Sequence, residues 1–297
     1  MKKLFFTAIL AFVLLTPAFS EQTGASFTIG NNNLTSAPLT GTEFPGTEFL
    51  WGGSLFWTKE ANDQSGIEVG FTTDPVMKNL GYASFYYKED LFSIDVGPFF
   101  GLFNTAEALI KSGIATSIRV NIPGIAFAEF ATQSTIGGRL TSTGDYLQEA
   151  NSISAGFYVY NAICTVMLDT KSFSRVDATL GIVNEDFTEY ALVFDLFQKN
   201  IPYTAKLKLA FQQRVRTIAA TNIQSLYNVV LGTDFSINPF EFLSIFLGIE
   251  SGLYSFGYNE DTVATTKDML TFASTFPGNF LFNATIGCSL DLDAFNN

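Results

Sequence analysis

Residues 279–293 alternate without a break. Phe280, Phe282, Ala284, Ile286, Cys288, Leu290 and Leu292 fall on one side, and Leu281, Asn283, Thr285, Gly287, Ser289, Asp291 and Asp293 on the other. A period of two held over about fifteen residues specifies a strand and not a helix. A tilted strand of about 9–11 residues already crosses the hydrocarbon core of a bilayer. Here one face is apolar and the other is small, polar or acidic, which fits lipid on one side and water on the other.

The same stretch resembles the C-terminal strand of bacterial outer-membrane β-barrels. That family ends in a pattern of a polar residue, any residue, Gly, two of any kind, an apolar residue, any residue and an apolar residue. Thr285, Gly287, Leu290 and Leu292 match it in order. The resemblance implies an outer-membrane location and recognition of these four residues by the barrel-insertion machinery. The family also closes on a terminal aromatic, whereas Phe295 is followed here by Asn296 and Asn297.

Residues 1–20 read as a signal peptide: Lys2 and Lys3, an apolar run from Leu4 to Leu15, Pro17, and Ala18-Phe19-Ser20 as a small-x-small cleavage site. The run is too short for a spanning anchor. Residues 21–297 then form one domain. The chain is 47% hydrophobic and only 15% charged, with 32 Phe, against about 25% charged residues in a typical soluble domain. No further apolar run is long enough for a spanning helix, so the apolar surplus belongs to strands. The expected fold is all-β: a transmembrane antiparallel β-barrel of about fourteen strands, with twelve to sixteen possible. A soluble β-sandwich or ligand-binding barrel, with its apolar face inward, is the competing architecture.

Along the chain the alternation recurs. Phe92, Ile94, Val96, Pro98, Phe100 and Leu102 mark a fifth strand, and Ile114, Thr116, Ile118, Val120 and Ile122 a sixth. After Pro123-Gly124, a three-residue turn puts Ala126, Ala128 and Phe130 toward lipid and Glu129 inside. This is preferred because a lipid-facing carboxylate is costly. An eighth strand over 153–168 changes phase near Tyr160-Asn161, which suggests a bulge. A ninth carries Val176, Ala178, Leu180 and Ile182, and Asn184-Glu185-Asp186 turns it. The eleventh presents Tyr203, Ala205, Leu207, Leu209 and Phe211 on one face. The twelfth begins at Tyr227, so a long connection follows the eleventh. Long connections also follow strands one, five, seven and thirteen, and short ones follow the even-numbered strands. Short turns on one rim and long loops on the other are the outer-membrane arrangement.

The polar faces carry the candidate site. Lumen-lining charges are expected at Glu68, Asp95, Arg119, Glu129, Asp177, Asp195, Lys206, Lys208, Arg214, Asp234, Glu250 and Asp291. The acids outnumber the bases, and the whole chain has a formal net charge of −12. An acidic chain without basic patches is a poor match for nucleic acid. Glu185-Asp186 and Glu260-Asp261 read as solvated loop pairs. With no histidine in the chain, Ser-His and Cys-His catalysis and His-based metal sites are excluded, and neither an enzyme nor a cofactor is expected. Cys164 and Cys288 read as two separate thiols on apolar faces. Trp51, Trp57, Tyr86, Tyr87, Tyr203 and Tyr254 lie near strand ends, where a bilayer would make them interfacial girdles and a soluble fold would make them core. Residues 104–113 carry helix-capping signals and read either as a rim helix or as a segment folded into the lumen.

The functional expectation is passive passage of small solutes, porin-like, with hydrophobic solutes among the candidates and with outer-membrane lipid and the insertion machinery as partners. Fourteen strands resembles the long-chain fatty-acid transporters and certain monomeric porins, although no N-terminal hatch of the former is evident. The alternative is a non-conducting surface barrel whose long loops bind a partner or host ligand.

Overall fold

A computed structural model of the chain describes residues 22–32, 49–74, 78–102, 112–136, 140–143, 145–197, 203–269 and 282–291. The signal-peptide reading and the 104–111 part of the helix-like segment lie outside them. So do Leu292 and the ends of the 279–293 strand. The elements are β1 (Gln22–Asn32), β2 (Phe49–Asn62), β3 (Ser65–Asp74), β4 (Lys78–Lys88), β5 (Phe92–Leu102), β6 (Ser112–Ile122), β7 (Ala126–Thr135), β8 (Tyr146–Val159), β9 (Ala162–Asp177), β10 (Gly181–Phe197), β11 (Tyr203–Ile218), β12 (Asn222–Phe240), β13 (Leu243–Asp261), β14 (Thr266–Met269) and β15 (Phe282–Asp291).

Each strand pairs antiparallel with its sequence neighbour from β1 to β13, and β15 closes the ring between β13 and β1. The chain is a closed, fourteen-stranded antiparallel β-barrel. The short β14 shares the last position with β15: β13 pairs Leu243–Ser251 with β15, and Tyr258–Asp261 with β14. Closure matters because an open edge strand has no backbone partner in lipid.

One face of the wall collects the exposed large apolar side chains, among them Phe130, Ile153, Val166, Leu209, Leu247 and Ile286. The other collects the buried polar ones, such as Gln148, Glu189, Gln212 and Asn228. The apolar face is therefore outside. A soluble barrel would place it inside, so the soluble alternative does not describe this chain. On β11 the belt runs from Tyr203 through Leu207 and Leu209 to Phe211, after which Gln213, Val215 and Thr217 take the outward positions. That is about nine residues, the height of a bilayer's hydrocarbon band once the strand is tilted. Both cysteines are free, and both lie on the outward parity.

Several expected boundaries move. Tyr160-Asn161 is not a bulge but the hairpin turn between β8 and β9, with Tyr160 at φ 53. Asn184-Glu185-Asp186 is not a turn: the chain reverses at 178–180, helped by Gly181 at φ 73, and all three residues lie in β10. No long loop follows β11, because only residues 219–221 separate it from β12. Glu260-Asp261 likewise ends β13, with Glu260 3.5 Å from Lys267 on β14. The last three corrections share one cause. β9 to β13 are 16–19 residues long and outrun the bilayer. Beyond the belt polar residues such as Ser172, Ser174, Asp186, Gln213 and Ser225 interrupt Val176, Ile182, Val215 and Ile223 on the outward face, so the alternation that marks a half-buried strand is broken.

The β6–β7 hairpin has the register expected for it. Ile122 pairs with Ala126 across residues 123–125, Glu129 faces in beside Arg119, and Ala128 and Phe130 face out. On β13, Val229 pairs with Tyr254 but Val230 with Gly252, so Leu253 is the extra residue of a bulge. The bulge turns Tyr254 outward and stacks Phe256 on Tyr227 at 4.9 Å. Trp57, Tyr87 and Tyr203 also lie on the outward parity, near the short-turn rim, as a girdle requires. Tyr86 does not: it faces inward and is buried, over Gly66. The side chain of Trp51 lies outside the described ones.

The β11–β12 connection carries strain. Ala219 and Ala220 both have positive φ, at 50 and 58. A left-handed L-residue costs roughly 1–2 kcal/mol, a cost that glycine lacks. Ala220→Gly is therefore expected to stabilise the folded barrel by about 1 kcal/mol, read as a higher urea midpoint in micelles. An unchanged midpoint would mean that the turn is not held in this geometry.

Candidate functional site

The register sorts the inward residues into rows that cross the strands. One row runs Asp195 (β10), Lys206 (β11), Asp234 (β12), Gly248 (β13) and Thr285 (β15). The next runs Val193, Lys208, Gly232, Glu250 and Asn283. Asp95, Arg119, Glu129, Asp177 and Asp291 also fall on the inward parity, as do Glu68 and Arg214.

Lys208 is the hub of the second row. Its Nζ is 3.1 Å from Glu189 Oε2 and also contacts Glu250. Glu250 lies two strands away, and Gly232 makes the reach possible. A Cβ at that glycine would stand 3.3 Å from Glu250 Cγ and 3.4 Å from Lys208 Cβ. Asn283 Nδ2 donates to Glu250 Oε2 at 3.0 Å, and Gln212 Nε2 donates to Glu189 Oε2 at 2.5 Å. The network ties β10, β11, β13 and β15 together beside the seam.

The other charges are arranged more simply. Lys206 is half exposed and 3.1 Å from Asp195. Arg119 is 3.5 Å from Glu129, donates to Tyr158 Oη at 3.3 Å, and lies over the Phe127 ring at 3.9 Å. Glu68 accepts from Tyr82 Oη at 2.7 Å and from Thr58 Oγ1 at 3.3 Å. No ion pair holds Asp95 or Asp234 among the described residues. Asp177, at the outer tip of β9, accepts the amides of Thr179 and Leu180 and meets Arg175 at 2.7 Å. Those amides, with the guanidinium, hold its carboxyl below the usual carboxylate range. A cavity of about 520 Å³ opens along the inner faces of β3 to β9, among Glu68, Tyr82, Asp95, Phe99, Asp169 and Lys171.

Inward aromatics cover glycines on the neighbouring strand. Phe99 lies over Gly113, Phe127 over Gly156, Tyr82 over Gly70, Phe56 over Gly24 and Phe246 over Gly287, each a direct cross-strand pair. The missing side chain is the seat for the ring, a device that pins register in a curved sheet. The residues expected from the sequence to form the insertion signal fall on this same seam. Thr285 and Gly287 face in, and Leu290 lies on the outward face opposite Ala25.

Sequence reasoning missed Asp169, Lys171, Arg175, Glu185, Glu189 and Arg216 on the inward face. A usable signal was present for part of them. The two-residue period of Lys206 and Lys208 continues to Arg214 and Arg216, and that of Asp195 continues back to Glu189 and Glu185.

No protein-family model matches the chain, and no curated protein matches its sequence. Solved structures similar in outline are outer-membrane barrels. OmpT, an outer membrane protein of Vibrio cholerae, is 8% identical with a TM-score of 0.44, over 91% of this chain and 96% of that one. The CymD monoaromatic hydrocarbon channel is 7% identical with a TM-score of 0.46, over 94% and 92%. An anion-selective porin from Comamonas acidovorans is 9% identical with a TM-score of 0.40, over 91% and 98%. The barrel stands on the pairing register given above, independently of these similarities.

Proposed function

We propose that the protein is an outer-membrane barrel that lets small solutes pass through its lumen. The observation that carries this reading is the closed ring of fourteen strands with an apolar belt outside and the charged side chains on the inner wall, beside an inward apolar cluster of Ala191, Ala210, Leu226 and Val230. Barrels of about eight strands fill their interior with side chains, and wider ones enclose cavities or channels. Lipid contacts the belt, and the insertion machinery reads the last strand. The mature protein is expected in the outer-membrane fraction, with heat-modifiable migration on gels.

Inward acids include Glu68, Asp95, Glu129, Asp169, Asp195, Asp234 and Glu250, and several carry no cation of their own. Rings of charge set selectivity in water-filled pores. Refolded protein in a planar bilayer should conduct in discrete steps and, under a salt gradient, show a mild cation preference that weakens as salt rises. Lys206→Gln is expected to increase that preference, because it leaves Asp195 without its partner. Anion preference in the parent would overturn the assignment of these strands to a conducting wall. Absence of conductance from folded protein would favour the surface-binding alternative, for which the outer ends of β9 to β13 offer a polar sheet beyond the belt.

A further inference from the structure

Register hollows out one side of the inner wall. One inward row runs Asp95 (β5), Ser117 (β6), Ala131 (β7), Ser152 (β8) and Asp169 (β9). The adjoining row runs Gly97, Ala115, Gln133, Ala150 and Lys171. Between the ends of these rows every side chain except Gln133 is small. All ten residues line the cavity of about 520 Å³, a size that takes a small organic ligand. Its edge on β4 and β5 is aromatic. Tyr86 is directly opposite Asp95, and Tyr82 is opposite Phe99. Phe99 and Leu80 are buried there, with Tyr82, Ala115 and Ala150 packed on them.

The charges of the described lining residues do not cancel at the Asp95 end. Asp95 has no ion pair or hydrogen-bond partner among them. Glu68 accepts from the hydroxyls of Tyr82 and Thr58 and meets no cation among the described residues. Lys88 is the base at this end, exposed, with its Nζ 4.5 Å from the Tyr86 ring centre. Two acids against one base leave one negative charge. The next row adds nothing, because Arg119 and Glu129 are paired. At the far end Asp169 and Lys171 have opposite signs. Hydrogen bonding is incomplete there instead: Asp169 Oδ1 is buried and accepts from nothing, and Gln133 Nε2 is buried and donates to nothing. These two stand on β9 and β7, with Ala150 and Ser152 on β8 between them.

Buried polar groups are normally satisfied. A carboxylate beside aromatic rings suits an organic ammonium ion. A bare hard cation needs several oxygen ligands, and no group of three acidic or other metal-ligating side chains occurs among the described residues. A hydroxyl accepts from an amide and donates to a carboxylate, which matches Gln133 and Asp169. Ala115, Ala131 and Ala150 leave an apolar floor between the two ends.

We propose that this cavity binds a small hydroxylated amine with an apolar body, its ammonium at Asp95 and its hydroxyl toward Gln133 and Asp169. Two strand spacings, about 10 Å, separate β5 from β7, a reach that suits a phenolic ethylamine. The inference rests on the passage reading, since a solute comes to this wall through the lumen, and it names a solute class for that passage.

Calorimetry of the full chain in detergent micelles, with tyramine as probe, tests it. Ethylphenol has the same body without the ammonium, and ethylamine has the ammonium without the body. Each is also titrated into empty micelles. Tyramine is expected to bind more tightly than either control. Asp95→Asn should weaken tyramine about tenfold or more, the value of a lost charged hydrogen bond. Ala131→Leu fills the floor and should weaken it roughly tenfold or more as well, and it carries the test if the asparagine variant fails to fold. Equal binding of ethylphenol or ethylamine, no binding of tyramine, or indifference to either substitution would overturn the site and leave water as the partner of these groups. Conductance without tyramine binding would sink this site alone, and tyramine binding without conductance would sink the passage reading alone.

Discussion

Replacing Gly287 by valine is expected to prevent the barrel from closing. Gly287 is paired with Thr28 on β1 and with Phe246 on β13, at the seam where the last strand joins the first. A Cβ there would lie 2.3 Å from Phe246 Cζ and 2.4 Å from the backbone oxygen of Phe27. The ring can turn aside. The oxygen cannot, because it belongs to the β1 backbone that pairs with β15. Overpacking of this kind costs about 3 kcal/mol, and at a seam it separates the two strands that close the ring. Refolding into micelles, followed by heat-modifiable gel migration, is expected to yield no compact form. Adding Phe246→Ala removes only the ring clash and should not restore folding. Refolding without any cellular machinery also separates two roles for this glycine. If the valine variant refolds normally in micelles yet fails to assemble in cells, Gly287 is a recognition residue only, and the steric argument falls.

That glycine shows where sequence reasoning reached and where it stopped. Its place in a closing strand was legible, because lipid on one face and water on the other write a period of two into 279–293. The Phe246 ring above it was not, since the pairing of β13 with β15 is a fact of register. The same division runs along the chain. Glu129 was assigned inward from the cost of a carboxylate in lipid, and the β6–β7 register agrees. Glu185 was read as a turn residue because Asn184-Glu185-Asp186 is a polar triplet, and polar triplets punctuate strands that end at the bilayer surface. β10 does not end there. Beyond the belt the outward residues Asn184, Asp186 and Thr188 are polar while Val183 and Phe187 are buried on the inward face, so the apolar phase switches faces and reads as a break, and the hairpin reverses instead at 178–180. The strand count survived because the turn missed at Tyr160-Asn161 was offset by one drawn too many between 168 and 176. The cross-strand reach of Lys208 depends on Gly232 standing between two charged strands, and no spacing within one strand encodes it.

Lys208→Met is expected to cost about 3 kcal/mol of stability. The side chain is largely enclosed, and so are Glu189 and Glu250, its two partners. Methionine keeps the length and the apolar stem but removes the charge. The two carboxylates then face each other across Gly232, where Gln212 donates to Glu189 and Asn283 to Glu250 through neutral amides. Breaking an enclosed pair by deleting one partner costs about 3–5 kcal/mol, mostly through the charge left behind. The lower end applies because the Glu250 side chain is 23% exposed and lumen water screens it. A urea titration of refolded protein should therefore show a clearly lower midpoint. The triple variant Lys208→Met with Glu189→Gln and Glu250→Gln tests the cause, since it has neither the cation nor the stranded anions and should recover most of the loss. If the triple variant is as unstable as the single one, the lysine acts through packing and not through charge.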